Sequence, residues 1–336
     1  MVRGSRVILE DIADLDNLAL AFWRAVRGKR HRPEVQRFTR QLDLELSRLR
    51  VEILDLSVAV GEYATFRIWD PKPRLIHAPC FRERVLHHAM MNHLGPVLDR
   101  ALVDDTFACR VGKGAYAAAE RAQRHVQRFP WYVQLDMKSY FASIDHAVLE
   151  RALARRFRDP GVRALCARVV AGHGSAEGRG LPIGALTSQH FANLYLDPLD
   201  RFLLEGQRVA GLVRYMDDVV CFAHSRPQAR AVLASVAPFL GERLKLQLRD
   251  GGVLQRSELG LAFVGFRIYP GTIRLSRRRM ERYRRARKQW ELAYARGLLD
   301  ARGLQAGYAS ALAITAHVDS AAWRKQELLR RPAPDA

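Results

Sequence analysis

Gly211-Leu212-Val213-Arg214-Tyr215-Met216-Asp217-Asp218-Val219-Val220-Cys221-Phe222-Ala223 sets a carboxylate pair between two apolar, β-favouring runs. Runs of this kind, joined by a few polar residues, read as a hairpin with its acids at the tip. Neighbouring carboxylates repel each other and lose hydration near a packed sheet, so such a pair calls for a cation. A second short apolar strand ending in an acid lies upstream, in Trp131-Tyr132-Val133-Gln134-Leu135-Asp136-Met137-Lys138-Ser139-Tyr140-Phe141. Two strands would then present three carboxylates, Asp136, Asp217 and Asp218, to one point. That donor set suits two-metal phosphoryl transfer. The bland alternative is a pair of solvated turn acids, and the flanking apolar runs and the third acid weigh against it.

Mg²⁺ prefers carboxylate oxygens, water and substrate phosphates, so two or three acids suffice without a full protein cage. Mn²⁺ is a ready substitute, and the Met137 carbonyl, beside Asp136, is a candidate additional ligand. Two such ions would clamp an attacking 3′-hydroxyl and a leaving pyrophosphate oxygen. Phe141 follows Asp136 by five residues, where an aromatic ring can exclude a sugar 2′-hydroxyl by shape; equally, Tyr140 and Phe141 are ordinary core residues. Gly180-Leu181-Pro182-Ile183-Gly184-Ala185-Leu186-Thr187-Ser188-Gln189 opens a helix. It either brings backbone close to an anionic ligand or is a plain helix start capped by Thr187 or Ser188. Arg110-Val111-Gly112-Lys113-Gly114 lacks P-loop spacing, but Lys113 can reach a phosphate, as can Arg74, Arg82 and Arg84. His87, His88 and His93 fit no zincin pattern and read as packing or surface residues of an amphipathic helix.

The bulk numbers point the same way. The chain has 336 residues, 49% of them hydrophobic, enough for two or three subdomains around a proper core. Lysine plus arginine number 55 against 35 acids, a net +20, and the pI is near 10.6. This excess exceeds the needs of solubility and favours a polyanionic partner, nucleic acid first and an anionic membrane surface second. No run of 18 apolar residues and no secretory pattern is present. Cys80, Cys109, Cys166 and Cys221 are widely spaced and read as reduced structural thiols of a cytoplasmic protein.

Along the chain, residues 8 to about 60 predict two helices broken by the basic loop Gly28–Pro33. Strand-like sequence follows from Tyr63 to Ile76, punctuated by Asp70-Pro71-Lys72-Pro73, then helices over Phe81–Leu98 and Ala115–Arg128. After the Asp136 strand come a helix over Asp145–Phe157, a glycine-rich loop from Gly172 to Gly180 and a helix over Thr187–Leu204. Residues 226–241 predict another helix, with short strands at Lys245–Leu248 and Ala262–Ile268. Arg274 to Lys288 holds nine bases and one acid, Glu281, with no pairing partners of its own. Such a helix repels itself unless something neutralises it, and Tyr283 and Trp290 add aromatic surface for packing or base stacking.

In this order, these pieces resemble a reverse transcriptase. Tyr215-Met216-Asp217-Asp218 is similar to the metal-binding box of that family, and Val133–Phe141 to the strand with its first catalytic aspartate and its aromatic sugar gate. Pro73-Arg74-Leu75-Ile76 with Phe81-Arg82-Glu83-Arg84-Val85, and then Gly112-Lys113-Gly114, resemble its fingers segments; Ala262-Phe263-Val264-Gly265-Phe266 resembles its primer grip. The resemblance implies an α+β right-hand polymerase with fingers, an antiparallel-sheet palm and a short helical thumb, preceded by an N-terminal helical extension. The expected divisions are 1–62 (extension), 63–130 (fingers), 131–270 (palm, with fingers-associated helices at about 146–180) and 271–336 (basic thumb and tail).

It also implies roles. Asp136, Asp217 and Asp218 would be catalytic, binding two Mg²⁺ with Met137, while Phe141, Ile183, Gly184, Arg74 and Lys113 would contact nucleotide or template. Ile183-Gly184-Ala185-Leu186-Thr187-Ser188-Gln189 departs from the usual Gln-Gly and Ser-Pro. In that respect it resembles the enzymes of diversity-generating retroelements, which copy a template-repeat RNA with errors at adenines. Ile183 would replace a polar contact to the incoming nucleotide with an apolar one. The expected partners are an RNA template, a DNA or RNA primer, deoxynucleoside triphosphates and a small basic accessory protein, pentameric in that family, with no membrane. The Val-Thr-Gly signature of retron enzymes is absent, and the tail after the basic helix is too short for a maturase region or nuclease. The alternatives are a defence-associated or group II intron-like reverse transcriptase and, in another class, an RNA-binding protein with a vestigial polymerase site.

Overall fold

A computed structural model describes residues 4–69, 73–172 and 178–332. Asp70, Pro71 and Lys72 of the expected strand break, the middle of the Gly172–Gly180 loop and the last four residues lie outside them. In chain order the elements begin with α1 (Leu9–Ala13), α2 (Leu15–Val26), α3 (Pro33–Arg40), α4 (Leu42–Leu54), β1 (Tyr63–Trp69) and β2 (Pro73–Pro79). Next come α5 (Phe81–Ala101), α6 (Ala115–Arg128), β3 (Trp131–Asp136), α7 (Tyr140–Ser143), α8 (His146–Ala154), α9 (Pro160–Ala171), α10 (Leu186–Tyr195) and α11 (Asp197–Arg201). The remainder are β4 (Gly211–Tyr215), β5 (Asp218–Ala223), α12 (Arg226–Phe239), β6 (Val253–Arg256), β7 (Leu261–Phe263), β8 (Phe266–Tyr269) and β9 (Thr272–Leu275), followed by α13 (Arg277–Ala295), α14 (Ala301–Ala313) and α15 (Ala321–Arg330).

The chain forms two compact units, each assembled from separate segments. The first comprises the chain up to Arg110, Met137–Phe202 and Ser235–Asp250. Four helices, not two, make up its N-terminal part: the expected break at Gly28–Pro33 is joined by one at Asp14 and one at Gln41, whose φ of −123° and ψ of 36° leave the helical region. The Asp14 side chain accepts from the Asp16 and Asn17 amides and starts α2 afresh, and Pro33 occupies the first turn of α3. Phe22, Phe38 and Phe81 form an aromatic cluster with centroids 5.2–6.1 Å apart. Buried Asn17 donates to the carbonyls of Ile12 and Ala89, so α1, α2 and α5 are pinned together. Arg82 makes a bidentate bond to Glu52, at 2.7 and 2.9 Å, which spends this guanidinium on α4. β1 and β2 pair antiparallel, with Phe66, Ile68, Trp69 and Leu75 exposed.

The second unit comprises Val111–Asp136, Leu203–Ala234 and the chain from Gly251 onward. Its centre is a four-stranded antiparallel sheet in the order β4-β5-β3-β6. β5 is an interior strand, which explains why its sequence is apolar without alternation: Val219 to Ala223 are all buried. Antiparallel partners project to the same face, so Tyr132, Gln134 and Asp136 share a face with Phe222, Val220 and Asp218. Helix α6 covers one end of that face. A Cβ on Gly211 would lie 2.5 Å from the His125 ring, and that ring sits 5.0 Å from Phe222. The three-stranded sheet β7-β8-β9 and the helices α13–α15 complete the unit.

The expected strand at Lys245–Leu248 does not form. Lys245 takes a left-handed φ of 53°, and the segment makes one isolated bridge, Met137 to Leu248, with Lys138 N donating to Gln247 O at 2.9 Å. A ladder needs more residues in extended register than this segment supplies. The outer strand is instead β6, opposite Trp131–Gln134.

Candidate active site

The two acidic segments meet through strand register. Tyr215 pairs with Asp218 across a two-residue turn, Met216-Asp217, and Asp136 pairs with Asp218 at the matching end of β3. Directly opposed antiparallel residues have Cα atoms about 4.5–5.5 Å apart, so both carboxylates leave the sheet side by side. Met216 takes a positive φ of 59°, which turns the chain tightly enough to put Asp217 beside them. A non-glycine residue in that conformation costs about 1 kcal/mol or more and is retained where its surroundings enforce it. Here Arg214 contributes. It is fully buried on the opposite face, and its Nη1 donates to the Met216 carbonyl at 3.1 Å.

The electrostatics of this corner are dominated by its clustered carboxylates. Surrounding protein strips water from Asp218, and Asp217 and Asp136 repel its charge; its carboxyl is pushed up to about 7 from 3.8, even though Gln134 Nε2 donates to Oδ1 at 2.9 Å. Two carboxylates about 5 Å apart repel by about 3 kcal/mol at an effective dielectric of 20. A hard divalent cation removes that cost, and three carboxylates with water and substrate oxygens form a suitable donor set. Among the described residues no group of three or more His, Cys, Asp or Glu side chains forms a ready-made metal cage. Three carboxylates at one sheet end are nonetheless the donor type that suits an ion completing its shell with water and substrate oxygens.

Gln134 ties this corner to the second sheet. The same Nε2 donates to Ala262 O in β7 at 3.0 Å. Beyond β7, the turn Val264-Gly265 is held by Arg279 of α13, which lies 4.0 Å from the Phe266 ring centroid and donates to Val264 O. Tyr116, at the start of α6, packs against both Phe266 and His317.

The other expected site residues divide between the units. Lys113 belongs to the aspartate unit, half-buried between Gly112 (φ 73°) and Gly114 (φ 135°). Met137, Phe141, Ile183, Gly184 and Arg74 belong to the first unit. Met137 is buried beside Leu248. Tyr140 and Phe141 differ in role: Tyr140 is core, its hydroxyl donating to Ala192 O at 2.5 Å, whereas Phe141 keeps part of its ring exposed and its carbonyl accepts from Leu181 N. Arg74 is exposed on β2. Ile183 O accepts from His77 N of that same strand at 2.8 Å. Gly184 has φ 125°, and a Cβ there would lie 2.9 Å from the His77 carbonyl, so only glycine allows this approach.

Three sequence expectations need correction. Helix α10 is capped by neither Thr187 nor Ser188; Ala185 holds the cap position without a side-chain bond, and both hydroxyl residues are buried in the first turn. The basic segment does have partners. Arg277 pairs with Glu281, Arg284 binds Glu327 through two bonds of 2.8 and 2.6 Å, and buried Arg287 pairs with Glu291 at 2.5 Å and donates to Arg331 O. Arg278, Arg282 and Arg285 are exposed and spaced i, i+4, i+7 along one face of α13. Finally, Cys109 is exposed, its Sγ 3.2 Å from Gln189 Oε1. As for the histidines, His87 is fully buried with Nε2 3.5 Å from Glu83 Oε1, and burial together with Arg84 and Arg24 pushes His88 down to about 4.

The chain matches the family model described as reverse transcriptase (RNA-dependent DNA polymerase) over residues 70–250, more than half its length. It is similar to the protein YkfC of Escherichia coli K12, 26% identical over 183 residues, covering 49% of this chain and 47% of that protein. The group II intron-encoded protein LtrA of Lactococcus lactis subsp. cremoris is 25% identical over 141 residues, 40% of this chain and 23% of that one. A putative COX1/OXI3 intron 2 protein of Saccharomyces cerevisiae is 23% identical over 129 residues, 36% and 15%. The chain thus spans less than half the length of each of these relatives. Among solved structures, an apo telomerase from Candida tropicalis superposes with a TM-score of 0.47 at 12% identity, covering 64% of this chain and 48% of that one. No helix among the described residues is long and apolar enough to cross a membrane.

Proposed function

Because the chain belongs to the reverse transcriptase (RNA-dependent DNA polymerase) family, we propose that it extends a primer 3′-end on an RNA template with deoxynucleoside triphosphates, releasing pyrophosphate. The observation that carries this reading is the register that sets Asp136 against Asp218 with Asp217 in the adjoining turn. Asp136, Asp217 and Asp218 would hold Mg²⁺, with the Met137 carbonyl as a further donor. The bound ions supply charge neutralisation at the attacking and leaving oxygens. The protein's own part is positioning: a rigid sheet end fixes the three carboxylates before substrate arrives. The β4-β5-β3-β6 sheet would serve as the palm, β1–β2 and the helices near it as fingers, and α13–α15 as the thumb. Arg278, Arg282 and Arg285 would track a phosphate backbone, Phe141 would gate the sugar, and Arg74 and Lys113 would meet triphosphate or template.

Within the family, the Ile183–Gln189 stretch supports the diversity-generating retroelement type, in which a template-repeat RNA is copied with errors at adenines and a small basic accessory protein assists. The similarity to LtrA favours a second reading, a group II intron-like enzyme. Primer extension on RNA with all four deoxynucleotides, followed by sequencing of the product, separates the two. Errors concentrated at template adenines support the first, and uniformly accurate copying supports the second. If Ile183→Gln leaves adenine errors unchanged, Ile183 is not their cause.

A further inference from the structure

The Gln134 side chain occupies an unusual junction. Its carboxamide has two N–H groups and both are committed: one to Asp218 Oδ1 at 2.9 Å, the other to Ala262 O at 3.0 Å. The two acceptors belong to different sheets. Asp218 opens β5 at the acidic corner, and Ala262 lies in β7, whose hairpin with β8 is clamped by Arg279 of α13. Gln134 itself cannot shift, because its backbone lies in an interior strand, opposite Val220 on one side and Val253 on the other. Its partner Ala262 is 128 residues away in sequence, so the bond fixes long-range geometry and no local turn.

We propose that Gln134 is a positioning residue that sets the orientation of the Asp218 carboxylate and couples it to the β7–β8 hairpin. The proposal rests on the polymerase reading for its catalytic consequence. A neutral donor suits the place. It occupies one lone pair of Oδ1, leaving the other oxygen to face Asp136 and Asp217, and adds no charge that would compete with a metal ion. A carboxylate at 134 would set acceptor against acceptor at both contacts, and an aliphatic side chain would release both. With the bond lost, Asp218 is free to rotate and β7 loses its tether at Ala262, which leaves Tyr132, whose hydroxyl donates to the neighbouring Gly260 carbonyl at 3.3 Å.

The test compares wild type, Gln134→Leu and Gln134→Lys. Leucine keeps the bulk and removes both donors, whereas lysine restores donors that reach the same two oxygens. Single-turnover primer extension at saturating template gives the maximal rate and the nucleotide Kd separately, burst amplitude gives the active fraction, and Mn²⁺ titration by electron paramagnetic resonance reports the metal site without turnover. Gln134→Leu is expected to lower the maximal rate roughly ten- to hundred-fold, as befits a lost bond to a charged acceptor. Nucleotide Kd should stay within about threefold and Mn²⁺ affinity should fall severalfold; Gln134→Lys, which restores the tether but adds a competing charge, should recover maximal rate at saturating metal and leave Mn²⁺ affinity low. The proposal is overturned if Gln134→Leu keeps its maximal rate and Mn²⁺ affinity within twofold, if it loses only active fraction, or if lysine gives no higher maximal rate at saturating metal than leucine. A wild type without synthesis would count against the polymerase reading alone, and the Mn²⁺ titration would still decide the role of Gln134.

Discussion

Replacing Asp218 by asparagine should make the metal-free protein more stable while removing its function. The Asp218 carboxyl is pushed from 3.8 up to about 7 by dehydration first and by Asp217 and Asp136 next. A carboxylate raised on folding contributes stability that is complete below pH 3.8 and is lost as the pH climbs through 7. At pH 8 the folded protein therefore carries a cost of about 1.4 kcal/mol per pKa unit, about 4 kcal/mol in all. Asparagine removes the charge and keeps an Oδ1 that can accept from Gln134, so most of that cost should vanish. Urea denaturation in EDTA at pH 8 should place Asp218→Asn about 2–4 kcal/mol above wild type, a midpoint shift of about 0.7–1.3 M at an m value near 3 kcal/mol/M. At pH 4 the two proteins should differ by less than about 1 kcal/mol. Added Mg²⁺ should raise wild type at pH 8 more than the variant, which keeps two of the three carboxylates. An Asp218→Asn protein no more stable than wild type at pH 8 in EDTA, or one that Mg²⁺ stabilises equally, would refute this account of the acidic corner.

Other consequences are simpler to state. Converting Arg278, Arg282 and Arg285 together to glutamine should weaken nucleic-acid binding at low salt and flatten the log affinity against log salt slope by roughly two to three, measured by fluorescence anisotropy; an unchanged slope would remove this face of α13 from the interface. Gly184→Ala should cost about 2–3 kcal/mol in urea denaturation, since its φ of 125° and the His77 carbonyl 2.9 Å from a Cβ both oppose a side chain; wild-type stability would contradict the tight approach to β2. Phe141→Ala should raise ribonucleotide incorporation relative to deoxynucleotide at least tenfold in competitive extension, and unchanged selectivity would end its role as a sugar gate.

What could be read from the sequence was local. Val219–Phe222 and, but for Gln134, Trp131–Leu135 are apolar enough to declare buried strands, and each adjoins an acid, so the elements of the candidate site were legible before any coordinate. The break at Gly28–Pro33 was legible, whereas those at Asp14 and Gln41 were overlooked in favour of the longer apolar periodicity. Strand β6 escaped because four residues, Val253 to Arg256, carry too little pattern, and Lys245–Leu248 imitated it without the φ angles to pair. Arg214 is the one charged residue of β4, and only packing shows it buried, bound to the carbonyl of the Met216 turn. The partners of Arg284 lie in α15, and those of Gln134 lie in β5 and β7. No window of sequence contains such pairs, and they decide which bases stay exposed and which carboxylate is held.

Extension of a DNA primer on an RNA template, with Mg²⁺ and four deoxynucleotides, by wild type and Asp217→Asn side by side tests the central claim most directly. The account predicts a full-length product from wild type and none from Asp217→Asn, with RNA binding by the variant equal to or stronger than wild type once a repelling carboxylate is gone. Synthesis by Asp217→Asn at the wild-type rate would contradict it.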